Sequence, residues 1–171
     1  MNLREAICVI TTLISLCAAT AMAQSGGTFT DRGNKFSIAL SKDWRASHYT
    51  DAVGRKRTEF VHGDRGRGLL RISKETPGKR TLDQVIDREL EGLRAYHGKY
   101  LLSGRDSFEG EALRGIRVSF HYIERGHQAT AAYYYLEDVN SVWVLRFTAR
   151  VGSLDAYRNA TDEIARSFRP K

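Results

Sequence analysis

Between residues 100 and 150 the chain repeats one pattern: a stretch of alternating apolar and polar side chains, then a break of only a few residues. The stretches cover 100–108, 113–123, 129–137 and 142–150, and the breaks fall at Gly110, at Arg125-Gly126 and at residues 138–141. A period of two belongs to a strand, whose successive side chains point to opposite faces of a sheet. Breaks this short leave no room for a crossover, so neighbouring strands must run antiparallel as a meander. In the second stretch Ile116, Val118, Phe120 and Tyr122 share one face, and Arg117, Ser119 and His121 share the other. Trp143, Leu145 and Phe147 alternate in the same way in the last, so each strand carries a predicted core face.

Upstream, Phe36-Ser37-Ile38-Ala39-Leu40 alternates as a half-buried strand, and Lys42-Asp43-Trp44 turns it and supplies a large aromatic plug. Residues 57–62 and 68–75 predict a hairpin around Gly63 to Arg67. After Pro77-Gly78, Thr81 opens a helix with Gln84 placed to complete a capping box. Leu82, Val85, Ile86, Leu90, Leu93 and Tyr96 line one side of that helix, and Asp83, Asp87, Arg88 and Glu91 the other. A closing helix is predicted from Ser153 as N-cap, with Asp155 near its start, Arg166 near its end and Leu154, Tyr157, Ile164 and Phe168 buried. Pro170 stops it. The expected class is α+β, with an antiparallel sheet of about six to seven strands flanked by helices.

The N-terminus has a different character. Arg4 precedes an apolar run over residues 6–19, interrupted only by Thr11, Thr12 and Ser15. A membrane span needs about 20 apolar residues, whereas a signal-peptide core is shorter and ends in a small-x-small site such as Ala21-Met22-Ala23. Residues 1–23 therefore read as a signal peptide, 24–27 as a flexible tether and 28–171 as a single domain. The mature form begins at Gln24, carries no transmembrane span and belongs in the periplasm or outside the cell. Cys17 at the end of the apolar run offers lipoprotein processing as the alternative, against the bulky Leu16 before it. Cys8 and Cys17 both lie in the leader, so the mature domain has neither disulfide nor thiol chemistry and relies on its apolar core.

The Phe36-x-Ile38-x-Leu40 strand leading to Trp44, the amphipathic helix after a hairpin, and a closing helix ending in Ser167-Phe168-Arg169 resemble the PsbP-like superfamily. That superfamily includes the photosystem extrinsic protein, a Ran-binding nuclear import factor and small exported bacterial proteins. Ser41 stands where the family usually has proline. The resemblance spans most of the mature domain and implies an α/β/α sandwich with adaptor or accessory roles. It carries over no functional residue.

The most unusual stretch is 55–71, where Arg55, Lys56, Arg57, Arg65, Arg67 and Arg71 stand against Glu59 and Asp64, a net +4 of the chain's +7. Arginine forks match phosphate and carboxylate, and glycines at 63, 66 and 68 would let backbone N–H groups converge on an anion. Arg55, Arg57, Arg65, Arg67 and Arg71 are the candidate docking residues for lipid, lipopolysaccharide, a glycan or an acidic protein. The plainer reading is a solvated hairpin whose charges oppose edge-to-edge aggregation. Nucleic acid is a poor third choice for an exported protein.

Chemistry has weaker signals. Histidines 48, 62, 97, 121 and 127 lack any H-E-x-x-H spacing, and only His121, Glu124 and His127 would gather if their strands pair. No motif calls for a metal or a cofactor. There is no G-x-S-x-G, and Asp106, Glu109 and Glu111 around Gly110 read as an acidic turn. Tyr133-Tyr134-Tyr135 offers either a ligand platform or aromatic packing beneath the helices. The expectation is a non-enzymatic exported accessory or binding protein. The alternative is a small periplasmic hydrolase that uses His121 or His127 with a nearby carboxylate.

Overall fold

The computed structural model describes residues 26–33, 35–54, 56–63, 68–97, 99–150 and 158–171. In chain order the elements are β1 (Gly27–Thr30), β2 (Phe36–Leu40), β3 (Trp44–Thr50), β4 (Lys56–His62), β5 (Gly68–Glu75), α1 (Leu82–Tyr96), β6 (Tyr100–Glu109), β7 (Arg114–Glu124), β8 (His127–Asp138), β9 (Ser141–Arg150), α2 (Arg158–Arg166) and β10 (Arg169–Pro170). The four alternating stretches form the meander β6-β7-β8-β9, and β9 also pairs with β5, giving a seven-stranded antiparallel sheet in the order β3-β4-β5-β9-β8-β7-β6. Arg125 and Gly126 join β7 to β8 with φ of 49° and 81°, the positive values that a two-residue turn matching strand twist requires. Gly115 has no substitute, because a Cβ there would collide with the backbone carbonyl of Tyr135 on β8.

Strand alternation sorts the apolar residues into two cores, one on each sheet face. Val118, Phe120, Tyr133, Tyr135 and Val144 pack under Ile86 and Leu90 of α1. Tyr134, Leu136, Trp143, Leu145 and Phe147 pack on the opposite side with Phe60 and Leu70. Fully burying side chains of this size contributes roughly 1.5–3 kcal/mol each. The Tyr133-Tyr134-Tyr135 run therefore serves both cores, and with Tyr134 and Tyr135 fully buried it forms no exposed platform. The capping box of Thr81 and Gln84 starts α1 as the sequence indicates.

The second face is covered differently from the expectation. Strand β2 does not join the large sheet but sits between β1 and β10 in a separate three-stranded sheet. With α2 it lays Phe29, Phe36, Ile38, Leu40, Ile164 and Phe168 over the core. The edge position in the large sheet goes to β3, paired with β4 from Trp44↔His62 to Thr50↔Lys56. After Trp44 this strand is mostly exposed, so it lacks the buried alternation that would announce it. Ile164 is buried within α2 and Phe168 just after it, while Ser153, Leu154, Asp155 and Tyr157 lie outside the described residues. Tyr96, placed on the apolar side of α1 by periodicity, is 84% exposed because it falls in the last turn.

An arginine ties each cover to the sheet. Arg146 on β9 donates to Glu89 of α1 at 2.7 Å and to Glu75 at 2.7 Å. Arg117 on β7, itself buried, donates to the Tyr134 hydroxyl at 3.2 Å, and that hydroxyl donates to Asp162 of α2 at 2.5 Å. Burial, then the bond to Asp162, push the Tyr134 hydroxyl up to about 12.

Candidate functional site

The described arginines of the 55–71 stretch are both engaged. Arg57 lies near the start of β4, and its Nε sits 3.1 Å from Asp51. Arg71 lies opposite Glu59 in the β4–β5 ladder and donates to it at 2.5 Å. The Tyr49 hydroxyl donates to the same Glu59 oxygen at 2.9 Å, and that bond holds its pKa above the usual tyrosine value. Register places Arg57 and Arg71 on the α1 side of the sheet, beyond the helix itself. Exposed pairs of this kind contribute little to stability, typically about 0–1 kcal/mol, but they offset the charge a partner would meet. A side chain at Gly68 would press on His62 and Trp44, and Gly66 lies outside the described residues. Arg55, Arg65 and Arg67 lie outside the described residues.

A second basic region lies on the other face. The turn between β1 and β2, together with Lys171 beyond β10, overhangs the large sheet and leaves two adjoining recesses of about 580 and 490 Å3. They share Asp31, Lys35, Lys56, Arg57 and Thr58, and so form one groove. Its course crosses the strands, from His48 and Thr50 on β3, past Lys56 and Thr58 on β4, to Ile72 and Lys74 on β5 and Trp143 on β9. Arg32 and Lys35 come from the overhanging turn. Among the described residues Arg32, Lys35 and Lys56 make no ion pair. The Lys74 ammonium is 3.6 Å from Asp138 and lies over the Trp143 ring, 5.0 Å from its centre. Asp138 is held below the usual carboxylate range by the Val139 N–H first, with Trp143, Ser141 and Lys74 adding to it. Asp31 is the acid within the groove, and one of its oxygens already accepts from the Gly33 N–H at 2.9 Å.

This groove can bind an anion; the late-strand histidines have no comparable arrangement. In the β7–β8 ladder His121 faces Thr130, its Nδ1 3.1 Å from the hydroxyl, while Glu124 faces His127. Positions 121 and 124 are three apart on one strand, so His121 lies on the opposite face from Glu124 and His127. The three side chains therefore do not gather as a metal site would need, since only Glu124 and His127 share a face. His62 packs on Trp44 at 5.2 Å and His97 on Tyr122 at 4.3 Å between ring centres. Among the described residues no three His, Cys, Asp or Glu side chains are grouped to hold a metal ion. Of the acids around Gly110, Glu111 pairs with Arg169, and Asp106 comes within 3.9 Å of Arg117.

Sequence reasoning finds the arginines because they are neighbours in the chain. It misses the groove because residues 32, 35, 56 and 74 come from separate segments and meet only when the small sheet packs over the large one. Arg57 borders the groove as well, although strand parity directs its side chain to the opposite face of the sheet.

No family model and no curated protein matches the sequence. Solved structures do match the fold. A cyanobacterial PsbP from Synechocystis superimposes with a TM-score of 0.62 at 11% identity, over 92% of this chain and 99% of that one. The Saccharomyces cerevisiae Ran-binding protein Mog1p gives 0.58 at 8% identity, over 85% and 95%. LpqN of Mycobacterium tuberculosis, a protein involved in cell envelope biogenesis, gives 0.57 at 15% identity, over 84% and 88%. The fold of this chain is PsbP-like, an α+β sandwich with a seven-stranded antiparallel sheet at its centre.

Proposed function

We propose that this chain is an exported, non-enzymatic binding protein that docks an anionic partner through the groove between its two sheets. Arg57 borders the groove, and Arg55, Arg65, Arg67 and Arg71 are proposed as secondary docking residues. One observation carries the reading: cations from the β1–β2 turn, β4 and β5 converge on a concave surface, and three of them have no ion-pair partner among the described residues. Concentrated like charge raises both the encounter rate and the affinity for a ligand of opposite sign. Such repulsion within one site is a cost unless a partner relieves it.

Export rests on the leader over residues 1–23, with its Ala21-Met22-Ala23 site. The fold is consistent with the role, since two similar structures are described as a Ran-binding protein and as a protein of envelope biogenesis. Fold likeness alone says nothing about the partner. The test is retention of the purified chain on envelope extract at low and at high salt, beside the Lys35→Glu/Lys56→Glu variant. Wild type should be retained at low salt and released as salt screens the contacts, and the variant should pass through at both. Equal retention of the two proteins would overturn the reading.

A further inference from the structure

Resting on that reading, we infer that the groove's ligand is an extended acidic peptide segment, which adds itself as a short strand in a split between β4 and β5. The register shows the split. From His62↔Gly68 the two strands stay paired only as far as Glu59↔Arg71, although β4 begins at Lys56 and β5 runs on to Glu75. Beyond that point each strand keeps only its outer neighbour: Lys56, Arg57 and Thr58 pair with β3, and Ile72, Ser73 and Lys74 with β9. All of these residues line the same recess of about 580 Å3. Neighbours along a strand point to opposite faces, so a recess that meets both parities on both strands opens into the gap between them rather than onto one face.

Main-chain chemistry argues next. Along an antiparallel strand, successive residues turn their N–H and C=O alternately to one neighbour and to the other. At least one residue of 56–58 and at least one of 72–74 therefore direct both groups into the split, where the ladder supplies no partner. An extended peptide completes strand edges of this kind, its main-chain hydrogen bonds giving affinity and its alternate side chains giving selectivity. At about 3.3 Å per residue, the split accepts about three residues of ligand.

Charge then selects the ligand's sequence. Lys56 and Thr58 share the face of Phe60, and Ile72 and Lys74 that of Leu70, so this side of the split lies under the β1–β2 turn with Lys35. Lysines on an open edge repel strands in general and admit one whose charges cancel theirs. On the α1 face the split is bordered by Arg57, which already has Asp51, and by Ser73, which accepts from Arg146. An acid is therefore useful on the lysine side alone, and a period of two places it at every second position with an uncharged residue between.

Trp143 lines the recess, and Trp44, packed on His62 and Phe147 at the paired end of β4, is an internal control. The experiment titrates the purified chain at low salt with a blocked hexapeptide alternating threonine and glutamate, and with the same peptide N-methylated at its central amides. A peptide of equal composition with contiguous glutamates, and tri-galacturonate, complete the set. Heat, the two indole resonances and amide hydrogen exchange are read. The alternating peptide should bind, shift Trp143 but not Trp44, and slow exchange at amides within 56–58 and 72–74. N-methylation should weaken it about tenfold or more, as should Lys35→Glu/Lys56→Glu. The contiguous peptide should bind about threefold or more weakly. Equal binding of the N-methylated peptide, or tighter binding of tri-galacturonate, would overturn strand addition, and equal binding of the contiguous peptide would overturn the alternation. If the double variant loses envelope retention but no peptide binds, the peptide inference fails and the groove stands. If retention is unchanged, both fail.

Discussion

The arginine stretch and the lysine groove carry charge of the same sign, and the fold treats them in opposite ways. The arginines are close in sequence, and the two that are described have carboxylates built beside them, Asp51 for Arg57 and Glu59 for Arg71. The groove's cations are remote in sequence and are gathered by the small sheet, with Lys35 and Lys56 left without an ion pair among the described residues. Local charge density is thus a poor guide to available charge. What a partner meets is the charge left over after the fold has supplied its own counter-ions, displayed on a surface the partner can enter.

An assembled site depends on the cover that builds it, so the largest expected effect on the comparison comes from the cover itself. Tyr134→Phe removes the hydroxyl that joins Arg117, Asp162 and Thr161 beneath α2, and should lower unfolding free energy by about 1–2 kcal/mol in denaturant titrations. The same hydroxyl sets an alkaline limit. Its folded pKa of about 12 is above the unfolded value near 10, so its contribution is complete below pH 10 and is lost as pH rises through 12. The denaturation midpoint should fall across that window, and less steeply in Tyr134→Phe.

Smaller effects separate the two basic regions. Arg57→Ala should weaken anion binding about threefold at most, because Arg57 borders the groove but its side chain leaves toward the α1 face and shares its charge with Asp51, and Arg71→Ala should change it by less than about twofold, the scale of an exposed charge pair. Equal losses in the two variants would merge the regions into one surface. Smallest, and opposite in sign, Asp138→Asn removes the carboxylate that competes for Lys74 and should tighten anion binding about twofold. Weaker binding in that variant would show that Asp138 positions Lys74 rather than competing for it.

The same contrast between local and assembled features governs what the sequence discloses. The meander, the hairpin of β4 and β5, and α1 with its capping box are all written within a few neighbouring residues, and all are legible. The small sheet joins residues 27–30 and 36–40 to residues 169–170, a pairing that no local pattern encodes. Strand β3 escapes a sequence reading because after Trp44 neither side of it is firmly buried, so hydrophobic alternation has nothing to record. His121 and His127 illustrate the complementary error: they are close in sequence, but strand parity sends them to opposite faces. Of the candidate site, Lys56 and Arg57 stand in the basic stretch that the sequence singles out, whereas Lys35 and Lys74 do not.

The central claim is that anion binding belongs to the assembled groove rather than to the arginine stretch. The most direct measurement compares low-salt retention on envelope extract of two charge-reversal pairs, Lys35→Glu/Lys56→Glu and Arg57→Glu/Arg71→Glu, each checked for an unchanged fold by circular dichroism. The account predicts that the lysine pair loses retention while the arginine pair keeps most of it. Full retention by the lysine pair, with loss in the arginine pair, would contradict it.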